Sequence, residues 1–168
     1  MRHIIILFLA ILFLFPNLTC AEENWINFTN MGVKTVYALA VQDGCLWAGT
    51  DRGVIRWNLD TGEHKKYTRR DGLCADAVYS MVIDSKGKKW FGTAGGVNSF
   101  DGTQWISYTS KNGLVNNCVL SIALDKDNKK WFGTRDGVSL YDGKNWTTYT
   151  ADDGLVDNRI NTILIDSQ

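Results

Sequence analysis

Trp90-Phe91-Gly92-Thr93 returns as Trp131-Phe132-Gly133-Thr134, about 41 residues further on, and an earlier copy stands at Trp47-Ala48-Gly49-Thr50. The same step carries Tyr67-Thr68 to Tyr108-Thr109 and Tyr149-Thr150, and Gly72-Leu73 to Gly113-Leu114 and Gly154-Leu155. A fixed period near 40 residues marks one supersecondary unit copied in tandem, so the unit has to be read before any local motif.

Each unit resolves into four short runs separated by turn chemistry. The first runs are Val36 to Val41, Val78 to Ile83 and Val119 to Leu124, apolar at both alternations as strands buried on both faces would be. A small residue recurs inside them at Ala38, Ser80 and Ser121, with Thr162 in the same place further on, which lets such strands crowd together. Asp84-Ser85-Lys86-Gly87 and Asp125-Lys126-Asp127-Asn128 then read as tight turns, shortened to Gln42-Asp43-Gly44 in the first copy. There Asp accepts backbone N–H bonds and Gly or Asn supplies the positive φ. The second strand carries Trp-x-Gly-Thr. Thr-x-x-Gly-Val leads into the third, a spacing that suits a hairpin closed through a left-handed glycine. Asp101-Gly102 and Asp142-Gly143 mark the next hairpin turn, and the fourth strand, Trp105 to Thr109 or Trp146 to Thr150, alternates aromatic and polar residues. His64 takes that Trp position in the first copy and reads as a blade-surface residue, not a ligand.

Four antiparallel strands in about 41 residues, with no helical periodicity, describe one blade of an all-β propeller. The expected blades are residues 35–68, 77–109 and 118–150, followed by the first strand of a fourth at 159–166. Trp25 to Thr29 matches an outer strand with no blade before it, as a strand that clasps the last blade from the amino end would. A closed propeller needs at least four blades, so the expectation is an incomplete open arc of about three blades plus one strand, a fragment of a longer protein. Residues 22–168 form this partial propeller.

Residues 1–21 read as a signal peptide. Met1-Arg2-His3 is a short basic start, Ile4 to Phe15 is unbroken and apolar, and Pro16 ends it. That run falls short of the ~18–20 residues a membrane span needs. Two other readings stay open: a retained anchor, and lipidation at Cys20, where Asn17 sits at the place an apolar residue should hold and Leu18 comes one position late. The expected location is the periplasm or outside the cell, with a parent protein anchored in the inner membrane.

The chain has 18 basic and 18 acidic residues, so no polyanion partner such as nucleic acid is expected. Cys45, Cys74 and Cys118 occupy non-equivalent repeat positions, which suits buried free thiols; one bridge among them is the alternative.

The pattern Gly-Leu, a few polar residues, Val-x-x-Ile-x-x-Asp-x-x-Gly-x-x-Trp-x-Gly-Thr and Gly-Val resembles the two-component regulator propeller repeat. Gly72-Leu73 through Thr93 and Gly113-Leu114 through Thr134 carry the match, except that Asn128 to Lys130 lacks the turn Gly; the copy with Gln42-Asp43-Gly44 is looser. The resemblance implies a ligand-binding sensor region of a hybrid histidine kinase, often responsive to oligosaccharides, with the membrane helix and kinase outside this sequence. The alternative is a secreted propeller that serves as an interaction scaffold without a kinase.

No catalytic constellation, cofactor or metal site is expected. The Asp-x-x-Gly-x-x-Trp hairpin also resembles the Asp-box of sialidase-type propellers, but glycoside hydrolysis needs two placed carboxylates. Asp84, Asp125 and Asp166 each sit where turn capping explains them. Asp125 to Asn128 has part of a calcium-loop spacing without its central Gly or its distant Glu. Candidate ligand-binding residues lie where the copies disagree, in two loop types that should open on one face. Asp51, Arg52, Arg135 and Asp136 join the second strand to the third; Asp76, Asn116, Asn117, Asp157, Asn158 and Arg159 join one blade to the next. Planar amides and arginine forks suit a small-molecule or carbohydrate ligand.

Overall fold

A computed structural model describes Ile26 and residues 31–166. The expected signal peptide and most of the clasp strand lie outside the described residues. The chain divides into two units, residues 1–32 and 33–168, and the sheets of the described residues lie in the second.

Among the described residues, twelve strands form three separate four-stranded antiparallel sheets. β1 (Val36–Gln42), β2 (Cys45–Thr50), β3 (Gly53–Asn58) and β4 (His64–Tyr67) lie in that order in the first. β5 (Val78–Ile83), β6 (Lys89–Thr93), β7 (Gly96–Phe100) and β8 (Trp105–Tyr108) build the second. β9 (Val119–Leu124), β10 (Lys130–Thr134), β11 (Val138–Tyr141) and β12 (Trp146–Tyr149) build the third. The sheets do not close on one another: this is an open arc of propeller blades. Sequential order within each sheet follows from the turns, since every connection is a short hairpin.

Turn chemistry matches residue for residue. In the first blade Asp43 (φ 51°) and Gly44 (φ 67°) make a two-residue hairpin loop with both residues left-handed, and Gln42 pairs with Cys45 across it. The second and third blades insert one more residue, and Gly87 (φ 76°) or Asn128 (φ 61°) takes the left-handed place. The first strands each carry a bulge, at Tyr37, at Tyr79 and at Leu120, where the register with the second strand shifts.

The core lies between blades, not within them. Trp47 stacks on Tyr67 of its own blade at 6.1 Å and meets Phe91 (6.3 Å) and Phe100 (5.9 Å) of the next. Trp90 repeats this one blade on, with Tyr108 at 5.6 Å, Phe132 at 6.2 Å and Tyr141 at 6.0 Å. Leu73 and Leu114 drop into these two clusters, which explains the recurring Gly-Leu. Phe91 and Phe132 are fully buried, and deleting such a ring costs roughly 3–5 kcal/mol.

The glycine of Trp-x-Gly-Thr is a contact point between blades. A Cβ on Gly49 would meet Val78, one on Gly92 would meet Ser80 and Val119, and one on Gly133 would meet Ile160. The next blade's leading residue therefore rests directly on the backbone of this one.

Three sequence expectations need correcting. The first strands are not buried on both faces: Tyr37 and Val41 are about half exposed, because each first strand is the edge strand of its sheet. Residues 159–166 form no strand, since none of the three sheets pairs with them; Ile160 still donates its N–H to the Thr134 carbonyl at 2.8 Å. Thr68, Thr109 and Thr150 end no strand. Each opens a 3-10 turn, Arg69–Asp71, Ser110–Asn112 or Ala151–Asp153, closed by a left-handed Gly72, Gly113 or Gly154.

Candidate functional site

Each of these 3-10 turns forms the link out of its blade, and its free amides decide what several candidate residues do. Asp71, Asn112 and Asp153 accept the N–H of Thr68, Thr109 and Thr150 at 2.8–2.9 Å. Asp76, Asn117 and Asn158, at equivalent positions of the repeat, accept the first amide of the turn at 2.8, 2.8 and 2.7 Å. Three of the candidate site residues thus cap backbone in the same way in three links.

The two loop types do meet on one face. Gly53 donates to the Asp76 carbonyl at 2.6 Å, and Ala94 to the Ala77 carbonyl at 3.0 Å. In the third blade the contact passes through side chains: Asn116 Nδ2 donates to Asp136 Oδ2 at 2.6 Å while its Oδ1 accepts from Cys118 N–H at 2.7 Å. Asp51 accepts the amides of Lys34 (3.0 Å) and Thr35 (3.2 Å), with Arg52 Nε 3.8 Å from its other oxygen. The Lys34 amide, joined by that of Thr35 and by Arg52, holds the Asp51 carboxyl below its ordinary range despite a raising contribution from desolvation.

Asp157 accepts the Arg159 amide at 2.7 Å, and Arg159 Nε donates to Asn161 Oδ1 at 3.1 Å. Arg52 and Arg135 are exposed, and the Arg135 side chain has no hydrogen bond or ion pair among the described residues. The face therefore presents guanidinium forks above a floor of capped turns. Such forks can engage hydroxyls or carboxylates of a ligand.

Other motifs resolve into structure. Asp84 accepts from Lys86 and Lys88 amides and from Trp90 Nε1 (3.0 Å); Asp125 repeats this with Asp127, Lys129 and Trp131 Nε1 (3.1 Å). Both carboxylates are engaged by N–H donors, and Asp127 of the same loop pairs with Lys129 at 3.5 Å. His64 stacks on Trp57 at 4.9 Å on the blade surface. Cys45 is buried, Cys74 and Cys118 are half-buried, and all three are free thiols.

One polar residue escaped the sequence reading. Asn98 is fully buried; its Nδ2 donates to the Gly72 carbonyl and to Ser107 Oγ, both at 2.9 Å, and its Oδ1 accepts the Cys74 amide at 2.7 Å. It fixes the link between the first two blades. Ser139 does part of this work one blade on, accepting from Val115 N–H at 2.9 Å.

No family model and no curated protein matches the chain. Solved structures do. An extracellular domain assigned to a hybrid two component system of B. thetaiotaomicron matches with a TM-score of 0.67 and 25% identity over 74% of this chain. The match spans only 18% of that protein's length. Virginiamycin B lyase from Staphylococcus aureus gives a TM-score of 0.56 at 18% identity, over 68% of this chain and 41% of the lyase. A computationally designed protein, Ika4, gives 0.57 at 19%, covering 79% and 80%. The shared fold is the propeller blade. A lyase, an extracellular two-component-system domain and a designed protein all carry it, so fold alone assigns no chemistry.

Proposed function

We propose that this chain is the amino-terminal part of a periplasmic propeller sensor domain of a two-component system. It binds a small ligand, an oligosaccharide being the class the resemblance favours, and passes the signal to a histidine kinase encoded further along. One observation carries this reading: the 25% identity to an extracellular two-component domain extends over 74% of the chain, with the Gly-Leu, Asp-turn and Trp-x-Gly-Thr positions all in structural use. The ligand would meet the loop face, where Arg52, Arg135, Asp136 and Arg159 project. A groove of about 520 Å³ beside the third blade, lined among others by Trp131, Tyr149 and Leu155, supports the presence of further blades in the parent protein.

Sequencing the reading frame past Gln168 tests it. More blades, a second apolar segment and a kinase are expected. A stop codon directly after Gln168 would overturn the signalling reading and leave a secreted scaffold.

A further inference from the structure

A lysine at the start of each second strand reaches back over the tryptophan of the blade before. Lys130 Nζ lies 5.1 Å from the Trp90 ring and donates to the Asn128 carbonyl at 2.6 Å. Lys89 Nζ lies 5.3 Å from the Trp47 ring and donates to the Gly87 carbonyl at 2.9 Å. Both are more than nine-tenths buried. The two sites differ in one respect. Lys130 has the Asp84 carboxylate at 3.5 Å, whereas the place of Asp84 in the first blade belongs to Gln42, a neutral amide.

Lys89 consequently has no ion-pair partner among the described residues, and a buried ammonium without one is costly. A second cation adds to the imbalance: the Arg56 guanidinium lies 6.0 Å from the same Trp47 ring. Gln42 Oε1 is buried with nothing to accept from. These three groups line one cleft of about 190 Å³ between the first two blades, together with Asp43 and Gly102. Asp43 is exposed and makes no ion pair with either cation. The cleft opens beside the β1–β2 and β7–β8 turns, at the opposite ends of the strands from the candidate loop face.

We infer that this cleft binds a small hydroxycarboxylate, whose carboxylate takes the Asp84-like place beside Lys89 and Arg56 and whose hydroxyl donates to Gln42 Oε1. The interface between the second and third blades supplies the internal standard, since there the chain's own Asp84 carboxylate does the same work beside Lys130. The inference does not depend on the sensor reading. A neutral polyol offers no charge to Lys89, and a simple carboxylate leaves Gln42 unsatisfied, so both should bind more weakly.

The test is a titration of the full isotope-labelled chain, followed by amide shifts at Gly44, Lys89 and Gly102. Sodium glycerate, glycerol, acetate and chloride are compared at matched ionic strength. Saturable shifts are expected with glycerate, weaker ones with acetate and none with glycerol. Gln42→Asp puts the missing carboxylate into the chain. It should raise Tm and weaken glycerate at least about tenfold without disturbing the fold. Absence of saturable shifts, equal response to chloride, or unchanged glycerate binding in Q42D would each overturn the proposal.

Discussion

At Asp84 one carboxyl oxygen accepts two backbone amides, and the other accepts the Trp90 indole and faces buried Lys130 at 3.5 Å. Asp125 has the amides and the Trp131 indole but no such lysine among the described residues. Replacing Asp84 by Ala strands an indole N–H and an ammonium in the interior; D125A strands only the indole and loop amides. D84A should therefore cost about 2–4 kcal/mol and D125A about 1–2 kcal/mol, read from urea midpoints. Equal losses would show that the lysine contributes nothing at Asp84.

The same residues set the response to acid. Desolvation raises the Asp84 and Asp125 carboxyls, but the indole and amide donors outweigh it, and both ionise below the ordinary value. Asp101 is held down to about 2 by the Gln104 and Thr103 amides, and Asp142 is lowered by those of Asn145 and Lys144. Each titrates lower in the fold than in the unfolded chain, where Asp ionises near about 3.9. Their stabilisation is complete above that value and disappears as pH falls through the folded values. Stability should hold level from neutral to about pH 5 and fall between about pH 4 and 2. An equal fall between pH 7 and 5 would point to a group other than these carboxyls.

At the scale of the element, the glycine of Trp-x-Gly-Thr decides how closely blades stack. A Cβ at Gly92 meets both Ser80 and Val119, whereas one at Gly133 meets only Ile160, at the open end of the arc. G92A should lose roughly 1–3 kcal/mol through overpacking, and G133A measurably less because Ile160 can yield. Thermal unfolding of the two variants checks the order. Most of this element was legible beforehand: strand order, the left-handed turn positions and the Asp turns all follow from Gly, Asn and Asp at fixed offsets. The 3-10 links were not, because Thr68 and Tyr67 continue the alternating pattern of β4 and the cap is visible only once the Asp71 carboxylate is seen on the Thr68 amide. That oversight explains why Asp76, Asn117 and Asn158 look like loop-tip ligand residues in the sequence and prove to cap backbone in the fold. Lys89 was hidden for a different reason. Its twin Lys130 has an acid and it has none, a difference that depends on contacts between blades and not on spacing within one.

For the whole molecule, the interblade core is a series of one-way contacts in which each tryptophan waits for the blade that follows. Trp47 and Trp90 are covered by Phe and Lys residues of the next blade; Trp131 stacks on Tyr149 at 5.8 Å and then borders a groove of about 520 Å³. Val138, Tyr149, Leu155, Ile163 and Leu164 line that groove, and Leu164 and the neighbouring Val156 stand almost fully exposed. An apolar face of this kind, beside unpaired strand edges, favours association with another surface of similar composition. The chain by itself should therefore self-associate in a concentration-dependent way, measurable by light scattering after size exclusion. Leu164→Lys places a charge in the groove without touching either interblade cluster, so it should shift the chain toward monomer while leaving the β-sheet circular dichroism unchanged. A monomeric native chain would mean that the segment around Ile160 to Ile165 already covers Trp131 well enough to stand in for the following blade.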